Sequence, residues 1–189
     1  MKTVFAALFV VCGVSIAPAF AETCPEAPDH AAELEQLITE IGDATTEADA
    51  REISNQMWAL WTDAPNEQAQ ALLDHGMSRR AAYDFAAALT EFNRLIDYCP
   101  DYAEGYNQRA FVNFLRQEFS LALVDLDAAL ARSPRHIAAL SGKALTLMAL
   151  DRFDEARQLM GEALEMNPWL PERGLAAPGG PLEPLGRDI

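Results

Sequence analysis

The sequence predicts an all-α protein: a solenoid of stacked helix-turn-helix units with a degenerate helical hairpin at its N-terminal end. Three observations carry that expectation. The stretch LDRFDEARQLMGEALEMNP, residues 150–168, has the apolar period of an amphipathic helix and stops at Asn-Pro. Its buried stripe includes Ala156 and Ala163, small enough to let another backbone approach, so the partner is a second helix. Pro100, Pro134 and Pro168 stand 34 residues apart, each closing a helical pattern.

In chain order, residues 1–21, MKTVFAALFVVCGVSIAPAFA, read as an export signal rather than as part of the fold. Lys2 supplies the positive end, an apolar run from Val4 to Ala17 follows, and Ala19-Phe20-Ala21 fits the small-x-small cleavage rule. The run is short for a membrane span and Pro18 interrupts it, so cleavage after Ala21 and export are expected, with no membrane insertion of the mature chain. An Ala/Arg-rich composition with lysine only at Lys2 and Lys143 suits a GC-rich genome.

The whole chain carries 29 acids against 14 Lys and Arg, a net charge of −15, and losing Lys2 takes it to −16. Such a surface repels nucleic acid and anionic lipid, which excludes a nucleic-acid function and leaves basic partners. Half the residues are hydrophobic, a globular rather than disordered balance.

Cys24 and Cys99 remain after cleavage. Two cysteines in an exported chain point to one disulfide. Free thiols, or haem or metal ligation through the two Cys-Pro pairs, are the alternatives.

The periodicity extends through both halves of each unit. Before each closing proline stand an aromatic at −15 (Phe85, Phe119, Phe153), an alanine at −12 (Ala88, Ala122, Ala156) and a large apolar residue at −8 (Phe92, Leu126, Met160). Position −5 holds Leu95, Ala129 and Ala163. The first helices match as well, with Leu72, Tyr106 and Leu140 four residues before the small Gly76, Ala110 and Ala144.

This pattern resembles the tetratricopeptide repeat (TPR). The resemblance covers residues 69–168 as three units, 69–102, 103–136 and 137–168. The first unit departs at Leu95, which should loosen its packing. Residues 22–68 hold a degenerate hairpin: HAAELEQLITEIG and ADAREISNQMWALWTDAP are two amphipathic segments closed by Pro65, expected to cap the front of the stack. In the tail, residues 169–189, Trp169 and Leu170 should cover the last unit. A turn or two of helix fits around Glu172–Ala176, and an extended or mobile end should follow.

The resemblance implies a curved array whose first helices line a peptide-binding groove. On the second unit Asn107, Phe111 and Phe114 form a stripe at i, i+4, i+7. Ser141, Leu145 and Met148 continue it in the third unit, and Leu73, Met77 and Arg80 in the first. The expected site is therefore Met77, Asn107, Phe111, Phe114, Leu145 and Met148, largely apolar, with Asn107 able to bond a peptide backbone. Burial of Phe111 and Phe114 beneath neighbouring units is the competing expectation. TPR domains that clamp a C-terminal carboxylate use lysines, asparagines and an arginine; the comparable positions here are Leu73, Met77, Gln108, Ala138 and Gly142, so that clamp is absent.

No catalytic set emerges. His30, His75 and His136 lack metal-ligand spacing, with His75 expected on a packing face and the other two near helix starts. Asp125/Asp127 and Asp154/Glu155 read as helix-surface acids, and no phosphate loop or nucleophile motif is present. The expectation is a non-enzymatic periplasmic protein without cofactor or metal. It would mediate protein–protein interaction as a scaffold or assembly factor for a peptide or protein partner, and a homodimer is possible. The alternative is a self-contained array whose tail, through Leu182, Leu185 and Ile189, fills its own groove.

Overall fold

The computed structural model describes residues 23–184; the expected export signal, Leu185 and Ile189 lie outside them. Among the described residues there are eight α-helices, one short 3₁₀ turn and no strand. A hairpin of α1 (Ala31–Gly42) and α2 (Glu47–Trp61) precedes three helix pairs. The pairs are α3 (Glu67–Ala81) with α4 (Phe85–Tyr98), α5 (Ala103–Leu115) with α6 (Phe119–Arg132), and α7 (Ile137–Ala149) with α8 (Phe153–Met166). The 3₁₀ turn spans Pro171–Ala176.

Both kinds of turn in the array repeat with the sequence. Within each pair the chain reverses at Tyr83, Gln117 or Asp151, all left-handed with φ near +60° (60°, 62°, 60°). There the amides of Asp84, Glu118 and Arg152 reach back to the carbonyls of Arg79, Asn113 and Leu147, satisfying helix-end acceptors. Between pairs the helix stops because the residue before proline is pushed out of the helical region. Cys99, Ser133 and Asn167 accordingly sit at φ −121°, −134° and −142°.

Small residues set the distance within each pair. Ala88, Ala122 and Ala156 are fully buried, as are Phe92 and Met160, with Leu126 nearly so. Leu95 does not loosen the first unit: it is fully buried, and Gly105 of the next helix lies against it, where the following unit pairs Ala129 with Ala139. A large side chain on one helix is met by a missing one on the other.

The hairpin departs from expectation. It does not lead the stack as a preceding unit but folds onto the last one. Leu37, Ile38 and Ile41 of α1, with Ala50 and Met57 of α2, share one apolar cluster with Ile137, Leu140, Ala163 and Leu170. Arg135 pairs with Glu35 at 2.7 Å, and Tyr102 donates to the Trp61 carbonyl at 2.8 Å. The apolar faces of α1 and α2 are too wide to be covered by each other, and α7–α8 supplies the remaining cover.

Cys24 and Cys99 are joined by a disulfide that spans 75 residues and ties the chain ahead of α1 to the end of α4. Neither Cys-Pro pair then offers a free thiolate. The tail is packed further than its composition suggests: Leu182 is fully buried against Ala144, Leu147, Ala156 and Met160, the face of α7–α8 that a fourth unit would cover. Leu182 thus caps the end of the array and stands outside the groove.

Candidate functional site

The first helices α5 and α7 line a cleft of about 240 Å³, with Arg80 of α3 at one side. The stripe on α5 contributes Asn107, Phe111 and Phe114, and α7 contributes Ser141, Gly142, Leu145 and Thr146. Trp58 of α2 and Glu172 of the 3₁₀ turn also line it. Phe111 is 45% exposed, and the Arg80 guanidinium lies 4.6 Å over its ring. Phe114 is half-buried, edge-on to Phe119 at 5.5 Å.

Of the predicted site residues, the cleft brings together Asn107, Phe111, Phe114 and Leu145. Met77 and Met148 are corrections. Met77 packs into the α3–α4 core and Met148 into the core of α7, α8 and the tail. Each is taken up by packing within its own helix pair instead of facing the shared opening. Trp58 and Glu172 were not legible as site residues, because nothing in the repeat pattern says where the hairpin and tail dock.

Beneath the cleft floor lies a buried polar layer. Glu104, 1% exposed, accepts hydrogen bonds from Asn107 at 3.0 Å, from Gln108, and from His136 at 2.8 Å. His136 Nδ1 accepts the Ala139 amide, capping α7, so the ring proton sits on Nε2 and is donated to Glu104. Trp61 stacks on the other side of this arrangement, its ring 4.4 Å from that of His136 and nearly parallel. Arg80 donates to Gln108; burial pushes its guanidinium below the ordinary value, with the charge of Glu104 opposing. Asn107 therefore already spends one amide hydrogen inside the protein.

Two further expectations change. His75 is exposed rather than packed. Asp125 is buried at 4% exposure and takes a two-pronged contact from Arg109, which also donates to Asn93, tying the first unit to the second. Its guanidinium is held above its ordinary range by that bond to Asp125.

The sequence pattern of the tetratricopeptide repeat matches residues 114–169. That match spans α6 to α8 and fits the 34-residue period of the three helix pairs. The fold is a TPR solenoid. A TPR repeat-containing protein of Rhizobium etli is 30% identical over 130 residues, 64% of each chain. A tetratricopeptide repeat protein 36 homolog of Nematostella vectensis is 42% identical over 64 residues, 34% of this chain and 35% of that one. The chain thus spans less than two thirds of the length of either relative. Among solved structures, the first TPR of Spaghetti (RPAP3) bound to an HSP90 peptide has a TM-score of 0.53 at 22% identity, covering 54% of this chain and 81% of that one. The TPR2B domain of yeast Sti1 in complex with pHsp70 has a TM-score of 0.53 at 21% identity, covering 60% and 90%. At these identities the likeness is one of fold.

Proposed function

We propose that this TPR protein holds an extended or helical segment of a partner protein in the cleft between α5 and α7, as a scaffold or assembly factor in the periplasm of a Gram-negative bacterium. One observation carries the reading: Phe111, Phe114 and Leu145 face a common opening instead of being sealed under a neighbouring unit. The solved RPAP3 and Sti1 repeats were captured with peptide or protein partners, which supports the same use of the fold. Export is supported by the apolar N-terminal segment and by the Cys24–Cys99 bond, which suits an oxidising compartment. We assign the protein no catalytic step and no cofactor.

The test places a photo-crosslinking amino acid at Phe114 in the exported protein and identifies the captured species by mass spectrometry. A defined envelope protein, released by osmotic shock together with this chain, is the expected product. Capture of the protein's own C-terminal tail alone would replace the partner reading with a self-contained array.

A further inference from the structure

Next to the cleft, and sharing Trp58, Ala138, Ser141 and Glu172 with it, lies a second opening of about 450 Å³ between α2, the start of α7 and the 3₁₀ turn. All three tryptophans of the protein, Trp58, Trp61 and Trp169, line it. It also holds two polar atoms of opposite character that are buried without a hydrogen-bond partner: the Glu172 Oε2 acceptor and the Trp61 Nε1–H donor. The other charged side chains around it are engaged. Arg51 pairs with Glu47 at 3.7 Å, and Arg173 donates to the carbonyls of Trp169 and Leu170, both at 3.2 Å. Among the described residues no cation stands within ion-pair distance of Glu172.

We propose that this opening is a subsite for a basic side chain, arginine or lysine, of the peptide held in the cleft; the inference rests on the peptide-binding reading above. A buried carboxylate oxygen without a partner is costly, and a cation from the ligand removes that cost. Indole faces attract the same cation. The Trp61 N–H requires an acceptor, and the backbone carbonyl beside a basic side chain supplies one, so a peptide satisfies both atoms where a simple amine satisfies one. A chain with a net charge of −15 draws basic segments towards itself.

The tryptophans make the test direct. A blocked nonapeptide with one central arginine flanked by leucines is titrated against the intact, oxidised protein by intrinsic fluorescence, beside its glutamine twin and butylguanidine, a cation without a carbonyl. The arginine peptide is expected to bind about tenfold or more tightly than the twin. Glu172→Gln should bring the two together while circular dichroism stays unchanged. Equal binding of the two peptides to the native protein, a preference that survives Glu172→Gln, or butylguanidine matching the peptide would each overturn the subsite. If both peptides bind equally and both protect Phe114 from crosslinking, the subsite falls and the cleft stands. If neither peptide binds, the subsite falls too, and the Phe114 capture decides the cleft separately.

Discussion

The ring of Phe92 fills the space where a β-carbon on Gly76 would stand. The later units solve the same contact with smaller rows, Ala110 under Leu126 and Ala144 against Met160. Gly76→Ala should therefore overpack the first unit and cost about 1–3 kcal/mol in urea unfolding. Adding Phe92→Leu recreates the second unit's pair and should restore most of that loss. A double variant no more stable than the single one would mean that Gly76 serves the backbone rather than the ring.

Reduction should weaken the protein substantially. The Cys24–Cys99 bond closes 75 residues, and losing a crosslink of that span costs about 2–4 kcal/mol. The Cys24→Ser, Cys99→Ser variant should unfold at a lower urea midpoint, and dithiothreitol should shift the native protein and leave the variant unmoved.

The pair His136 and Glu104 holds the hairpin's anchoring surface together. His136→Ala removes the cap of α7, a hydrogen bond to a buried carboxylate and the stack under Trp61, together about 2–4 kcal/mol. Tryptophan emission should shift to the red as the Trp61 surroundings open. An unchanged spectrum with lowered stability would separate the stack from the other two losses.

Tyr102 makes the alkaline limb of stability steeper. Burial first, then the charges of Glu104, Asp63 and Asp74, push its hydroxyl well above the ordinary value of 10.0. The unfolded chain releases this proton near its ordinary pKa while the folded chain keeps it, so the contribution is complete below about pH 10 and declines above it. Tyr102→Phe should flatten that decline and cost about 1 kcal/mol at neutral pH through the lost bond to the Trp61 carbonyl. Parallel stability–pH curves for the two proteins above pH 10 would contradict this account.

Leu182 closes the last unit. Leu182→Asp buries a charge where a leucine is fully enclosed, and a loss of about 3 kcal/mol or more is expected from calorimetry. Cleft affinity for a Phe114-directed peptide should not rise, since the leucine stands outside that opening.

The sequence by itself determined the repeat: the 34-residue spacing of prolines, the alanines that admit a neighbouring helix, and the stripe Asn107, Phe111, Phe114 and Leu145. These are local or nearest-neighbour matters, written in period and side-chain size. Even there, reading one helix at a time misjudged Leu95, because its compensation, Gly105, lies on the next helix. The buried Glu104–His136 layer joins residues 32 apart, one on α5 and one at the cap of α7, and a buried acid looks in sequence like a surface one.

Only the tertiary structure decided where the hairpin and the tail go. The apolar faces of α1 and α2 say that they need cover but not which surface provides it, and α7–α8 competes successfully with α3. That choice brings Trp58, Trp61, Trp169 and Glu172, scattered over more than a hundred residues, around one opening beside the cleft. A periodic pattern specifies neighbours that repeat; a contact made once, between elements far apart in the chain, leaves no period to read.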